Sequence, residues 1–270
     1  MRLIKRTDLM PREIEDAIRR DAVERYPEES IGVISGNRYI PLENIASRVP
    51  DGEGGFLDPK KVAIPDKETF QRLMMNDEID ALIHSHPDAP FCPSAPDMQS
   101  QIDMDVPFGV LGVYRRAASR VALWGDQLER PDLIDRGFQH GITDCYEGIR
   151  DWYLKTDGYR YLIAQFVRDW EWWGKKLNQN LYLEGFEKAG FRRVDAADVQ
   201  RGDGVLFKIR SETHNHAGVY EGNDLFYHHP TAREPYAPRS KAKIETIHRW
   251  LKYDPIFVRP DPSHSSIIHL

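Results

Sequence analysis

Ile14, Ala17, Ile18, Ala22 and Tyr26 recur at spacings of three and four along PREIEDAIRRDAVERY, residues 11–26. They fall on one face of a predicted helix, with Pro11 suited to its first turn. The next apolar run, SIGVISG (30–36), is short and unbroken, as in a buried strand, and Gly36-Asn37 turns it into RYIPLENIA. PDGEGGF (50–56) reads as a flexible loop, and PDKETFQRLMM (65–75) as a helix with Asp66 at its N-cap. IDALIHSH (79–86), FGVLGVY (108–114) and RVALWG (120–125) are three further buried strands. Helices and strands alternate here as in a compact α/β unit that ends near Trp124.

GDQLERPDLID (125–135) has no clear period, is acidic, and reads as a connector. The pattern then restarts with a helix from Cys145, whose buried face carries Ile149, Trp152 and Tyr153. More helix is predicted through FVRDWEWWGKKL (166–177), whose tryptophans read as core or interdomain packing. GVLFKI (204–209), HAGVYEG (216–222) and LFYHH (225–229) then form a predicted meander of hairpins. KIETIHRWLKYDPIFVRP (243–260) is expected to pack as a helix and a strand, with DPSHSSIIHL (261–270) loose. The expected organisation is two α+β domains, 1–125 and 136–260, with a linker at 126–135 and a flexible tail at 261–270.

Composition narrows the function classes. The 270 residues are 40% hydrophobic, enough for real cores, and carry a formal charge of −6 with a pI near 5.9. That balance argues against binding nucleic acid through its phosphates. No apolar run approaches the roughly 18 residues of a membrane span. MRLIKRTDLMPREIEDAIRR turns charged almost at once, so no secretory signal is expected. Two cysteines, Cys92 and Cys145, exclude a disulfide scaffold; Cys92 reads as an incidental loop thiol.

The first chemical constellation is HSHPDAPFCPSAPD (84–97). Side chains at i and i+2 on a strand point to the same side, so His84 and His86 converge. Pro87 ends the strand, a loop reverses the chain, and Asp97 in the first turns of the next helix brings a carboxylate back. Two histidines and one aspartate form a catalytic-type zinc set with a position left for water. The water still needs a base, and Glu29, ahead of the first buried strand, is the candidate.

These residues, with Ser94 three before Asp97, resemble the JAMM (MPN/Mov34-type) metallopeptidase signature over residues 1 to about 125. The resemblance implies a mixed sheet flanked by helices, a cytidine deaminase-like αβ sandwich. It also implies Zn2+ on His84, His86 and Asp97, Glu29 activating the water, and Ser94 stabilising the oxyanion. Glu29 rather than Glu28 follows from the family's spacing of three residues to Gly32.

The second constellation begins at GITDCYEGIRDWYLK (141–155). Asp144 can cap a helix starting at Cys145, and the helix dipole there favours a thiolate. HNHAGVYEGNDLFYHH (214–229) supplies a distant base. Its Asn223-Asp224 turn brings His216 beside His228 or His229 at one end of a hairpin. One imidazole would take the thiol proton and the other orient the first. His140, His214, His248, His264 and His269 read as surface or loop residues.

This pattern, with QRGDGVLF (200–207), resembles the papain-like NlpC/P60 cysteine peptidases over about residues 136–235. The resemblance implies Cys145 as nucleophile, His216 as base and His228 as the orienting residue, because twelve residues separate the family's histidines. Tyr146-Glu147-Gly148 stands where that family often has Ser-Gly.

The succession of the two domains resembles the K-type tail assembly proteins of lambda-like tailed phages. That resemblance implies tail-tip assembly, with the cysteine peptidase cutting peptidoglycan stem peptides and the zinc domain acting as an (iso)peptidase. Partners would be stem peptides and phage tail tip proteins, without nucleic acid or a membrane span. The expected location is the host cytoplasm during assembly, then the virion tail tip. Two alternatives are a tail-assembly scaffold or tail-protein processing factor, and a bacterial cell-wall recycling peptidase.

Overall fold

The computed structural model describes residues 3–177, 179–230 and 232–269, and divides the chain into two compact units, Met1–Glu129 and Arg130–Leu270.

In the first unit a short turn, α1 (Arg6–Leu9), precedes α2 (Arg12–Arg25). Ile14, Ile18 and Ala22, one helical turn apart, are the buried face of α2. Strands β1 (Ile31–Ser35) and β2 (Arg38–Leu42) form an antiparallel hairpin through Gly36, whose φ of 56° suits glycine. Helix α3 (Lys67–Met75) starts at Asp66, which accepts the Thr69 N–H at 2.9 Å. Then follow β3 (Ala81–Pro87), α4 (Ala95–Met104), β4 (Phe108–Tyr114), β5 (Ala117–Ala118) and β6 (Ala122–Trp124).

The six strands make one mixed sheet in the order β2-β1-β3-β4-β5, with β6 also on β4. β3 and β4 are parallel, and α4 lies in the crossover between them. Ile34, Ala81, Ile83, Leu111, Val113 and Leu123 of this sheet share a core with α2. Leu128 belongs to that core, and Ile4 bridges to it, so the predicted connector starts inside the first unit.

The second unit opens with β7 (Gly137–Gln139) and α5 (Cys145–Lys155). Its elements then run β8 (Tyr161–Ile163), α6 (Leu181–Gly185), β9 (Phe191–Val194), β10 (Gly204–Phe207), β11 (His216–Gly222) and β12 (Leu225–His228). They end with β13 (Tyr236–Lys241), β14 (Lys243–Thr246), β15 (Ile256–Pro260) and β16 (Ile267–His269). A six-stranded antiparallel sheet runs β14-β12-β11-β10-β15-β9. Alternation divides its side chains. Leu206, Ala217, Val219 and Val258 pack with Ile149, Trp152 and Tyr153 of α5. Val205, Phe207, Phe226 and Phe257 form a separate cluster with Ile247.

Three sequence expectations are corrected here. The Trp-rich stretch 166–177 is irregular chain and turns, and only Leu181–Gly185 is helical. Glu171 has a φ of 56°, outside the helical region, and Trp170, Trp172 and Trp173 pack edge to face across that turn. Residues 243–260 are woven into the sheet as β14 and β15 around two 3-10 turns, with no α-helix. The tail is anchored: Ile267 is buried, and Ile267–His269 pairs with β8.

Candidate active sites

In the first unit, β1 and β3 set the site's geometry through their register. Ile31 pairs with His84, so counting outward along the antiparallel strands places Glu29 opposite His86. Ser30 N–H donates to Ser85 Oγ at 2.8 Å, and Ser85 N–H to the Ser30 carbonyl at 3.0 Å, locking this end of the pair. The period of two then turns His84, His86, Ile31 and Glu29 into one cleft of about 830 Å³, which Ser94 and Asp97 also line.

Ser94 caps α4 in a reciprocal capping box. Asp97 N–H donates to Ser94 Oγ at 3.4 Å, and Ser94 N–H to Asp97 Oδ2 at 2.8 Å. This cap holds the Asp97 carboxylate against the histidines.

The donor set fits a metal. His84 Nε2 lies 3.1 Å from His86 Nε2 and 3.3 Å from Asp97 Oδ1, and His86 Nε2 lies 3.5 Å from Asp97 Oδ2. Ligands about 2.0–2.1 Å from a tetrahedral zinc are spaced by roughly 3.3–3.4 Å. His86 Nδ1 donates to the Pro90 carbonyl at 2.9 Å, which leaves Nε2 with the lone pair a metal needs. Among the described residues, His84, His86 and Asp97 are the one group of three or more such side chains positioned to hold an ion.

Charge within the cleft is redistributed by burial and by partners. Burial pushes the Glu29 carboxyl above its ordinary value although both histidines pull the other way. Burial pulls His84 down, but Asp97 more than offsets it and leaves it raised. Asp97 is itself held well below the carboxylate range, its burial overcome by His84 and His86. Ser94 Oγ donates to Asp97 Oδ2 at 2.7 Å, so an oxyanion role would require that hydroxyl to turn into the cleft. Cys92 is buried.

In the second unit, Cys145 is the first residue of α5 and Asp144 its N-cap, accepting the N–H groups of Tyr146 and Glu147 at 3.0 and 3.1 Å. Gly141, with a φ of 71°, turns the chain so that its own N–H also reaches Asp144, at 2.7 Å. Arg168 binds both carboxylate oxygens of Asp144 at 3.0 and 2.8 Å and lies 3.3 Å from Glu147. Its guanidinium stands over the Tyr146 and Phe166 rings.

Cys145 and His216 line one narrow cleft of about 30 Å³ with Trp170, Trp172, Trp173 and Tyr182. Tyr182 Oη lies 3.3 Å from Cys145 Sγ. His216 Nε2 is 2.9 Å from His228 Nδ1, and His228 Nε2 is 2.8 Å from Glu245 Oε1. His229 turns away and pairs with the Ser240 carbonyl at 2.9 Å. Trp250 stacks on His216, with centroids 5.3 Å apart, and stands edge-on to His228 at 4.7 Å.

The expected thiolate preference is reversed. Burial, and then the adjacent Asp144 carboxylate, push the Cys145 thiol up to about 11, against smaller opposing effects of Tyr182 and Arg168. The carboxylate that caps the helix cancels the dipole the thiol would otherwise feel. Burial holds His216 well below its ordinary value and His228 down to about 3, so the resting pair is neutral thiol and neutral imidazole. His140 and His214, expected as surface or loop residues, lie in a turn and a loop but are buried: His140 Nε2 contacts the Arg168 carbonyl at 3.2 Å and His214 Nε2 that of Asp254 at 3.0 Å. Tyr182, Arg168, Glu245 and Trp250 were not foreseen, because each is an ordinary core or strand residue until the fold places it.

Comparison with known proteins matches residues 11–124 to the prokaryotic homologs of the JAB domain and residues 124–245 to the NlpC/P60 family. The chain is 31% identical over 191 residues to the tail tip assembly protein K of Escherichia phage lambda, covering 67% of this chain and 87% of that one. It is 30% identical over 230 residues to the protein of that name from Escherichia phage N15, covering 82% and 87%. Among solved structures, a Salinibacter ruber protein matches at 18% identity and a TM-score of 0.31, over 46% of this chain and 88% of that one. The NlpC/p60 domain of the peptidoglycan hydrolase SagA matches at 19% and 0.26, over 47% and 90%.

Proposed function

Since the chain belongs to the tail tip assembly protein K family, with a JAB-like domain followed by an NlpC/P60 domain, we propose that it is a tail-tip assembly factor carrying two peptidase centres. The second is a cysteine endopeptidase acting on peptidoglycan stem peptides. The observation that carries this reading is the shared cleft of Cys145 and His216, with His228 on the far nitrogen of the base.

His216 Nε2 is occupied by His228, so Nδ1 is the atom that takes the Cys145 proton. The thiolate adds to the peptide carbonyl carbon, and the imidazolium returns its proton to the leaving amine as the C–N bond breaks. Water, deprotonated by the same nitrogen, then hydrolyses the thioester and restores the thiol. A thiol near 11 and a depressed imidazole make proton transfer an essential part of the attack.

In the JAB-like domain, zinc would be held by His84, His86 and Asp97. Zinc, when bound, supplies the Lewis acidity that makes a water nucleophilic near neutral pH. Glu29 receives and returns the proton at its carboxylate, for which its raised affinity suits it. Ser94 swings its hydroxyl to the oxyanion. The substrate class is an amide or isopeptide bond in the wall or in a tail protein.

A scaffold or processing role is favoured by one observation: the cysteine cleft is narrow, with Tyr182 Oη 3.3 Å from the sulfur. Family membership speaks against a cell-wall recycling peptidase. We place the protein in the host cytoplasm during assembly and then at the tail tip, with tail tip proteins as partners.

Digestion of purified peptidoglycan by wild type, Cys145→Ala and His84→Ala, read by mass spectrometry, tests the proposal. Release of cleaved stem peptides by wild type but not by Cys145→Ala is the expected result. No release by any of the three, with zinc bound, would move the assignment to assembly or tail-protein processing.

A further inference from the structure

We propose that Glu245 is a positioning residue of the cysteine centre, which fixes the tautomer of His228 and through it turns the bare Nδ1 of His216 toward Cys145. This rests on Cys145 and His216 being the working pair.

Glu245 Oε1 lies 2.8 Å from His228 Nε2, and an ionised carboxylate only accepts, so His228 carries its proton on Nε2. A neutral imidazole has one N–H, which makes His228 Nδ1 the acceptor. His216 Nε2, 2.9 Å from that atom, must therefore donate. Neutral His216 is left with Nδ1 bare, the protonation a general base requires. Without Glu245, His228 has no fixed direction, and the opposite tautomer would place a proton on His216 Nδ1, the nitrogen left to act as base.

The surrounding packing keeps the relay aligned. β14 pairs with β12 in the register Phe226↔Glu245 and His228↔Lys243. Lys243 Nζ holds the second carboxylate oxygen, Oε2, at 3.0 Å and leaves Oε1 for His228. Phe226 stacks on His228, with centroids 4.3 Å apart and planes at 24°, and Trp250 bears on both imidazoles. The titratable groups around the two rings are Cys145 across the cleft, His229 beyond the end of β12, and Lys243 and Glu245 on β14. Glu245 raises the proton affinity of His216. It therefore stabilises the imidazolium formed when the thiol is deprotonated.

The test needs no substrate. Histidine 15N NMR reads the tautomers, and site-resolved iodoacetamide labelling against pH reads Cys145 reactivity separately from Cys92. Wild type should show His216 and His228 both protonated at Nε2. In Glu245→Leu, His216 should gain an Nδ1-protonated population, and Cys145 labelling at pH 7.5 should fall by roughly 10- to 100-fold, within the range general-base catalysis supplies. Glu245→Gln guards against misfolding of the leucine variant: its carbonyl still accepts from His228. It should keep the wild-type tautomers, label about 10-fold more slowly, and shift the acid limb to lower pH, because the imidazolium loses its counter-charge. His216 protonated at Nδ1 in wild type, or tautomers and labelling unchanged in Glu245→Leu, would overturn the relay. The assigned tautomers in wild type with Cys145 no more reactive than a free thiol would support the positioning and sink the peptidase reading.

Discussion

Arg168→Met isolates the charge that supports the cysteine-bearing helix. Arg168 is 3% exposed and is paired with Asp144 and Glu147, themselves buried at the start of α5. Removing one member of a buried ion pair costs about 3–5 kcal/mol, because the partner stays buried and uncompensated. Here the low end applies. Asp144 keeps three backbone N–H groups, from Gly141, Tyr146 and Glu147, and Glu147 keeps Arg150 at 2.8 Å. Met fills most of the space against Tyr146 and Phe166, so a loss of about 3 kcal/mol is expected. Five of the six tryptophans lie in the second unit, so their fluorescence follows its unfolding in urea. With a slope of roughly 2 kcal/mol/M, the midpoint should fall by about 1.5 M. The pH dependence has a definite sign. The Asp144 carboxyl is held well below its ordinary value, its burial overcome chiefly by Arg168. Its stabilisation is complete above the unfolded pKa, about 3.9, and is lost as pH falls through the lower folded one. In the variant, Asp144 takes up its proton at higher pH, so the gap from wild type is full at pH 7 and narrows below about pH 5. A loss under 1 kcal/mol at pH 7, or a gap independent of pH, would refute the reasoning.

Gly218→Ala should destabilise the second unit by about 1–3 kcal/mol and lower its proposed peptidase activity, because a Cβ there would meet the Tyr227 carbonyl oxygen at 2.5 Å and part β11 from β12. Urea unfolding alongside a peptidoglycan digest checks both effects. For the proposed zinc centre, Asp97→Ala should abolish zinc uptake by elemental analysis, whereas Glu29→Gln should keep it and reduce the proposed cleavage by about 10²- to 10⁴-fold. Acid should weaken the second unit: His228, held down to about 3 by burial, Lys243 and His229, stays neutral in the fold. Its contribution is full above about pH 6.5, declines as pH falls toward 3, and at pH 5 is lower by about 2 kcal/mol. Denaturation at pH 7.5 and 5.0 measures it, and His228→Asn should remove that share of the difference.

Local pattern was enough wherever a constellation lies within one or two neighbouring elements. His84 and His86 share a face because strands repeat every two residues, and Ser94 and Asp97 meet because a capping box spans three. The same holds for His216 and His228 on one hairpin, whose turn sets the register. Periodicity failed over residues 166–177, where aromatic packing across a turn overrode an apparently helical run. It also missed the tail, since strand pairing with β8 depends on a partner about a hundred residues away. The amino-acid order by itself therefore determined which residues gather, His84 and His86 with Asp97 and His216 with His228, and the order in which they follow along the chain. Only the tertiary structure decided their electrostatics. It set Asp144 and a buried wall against the Cys145 sulfur, brought Tyr182 to it, and put Glu245 behind the histidines. Burial and charge pairing act through space, between segments whose separation along the chain carries no signal.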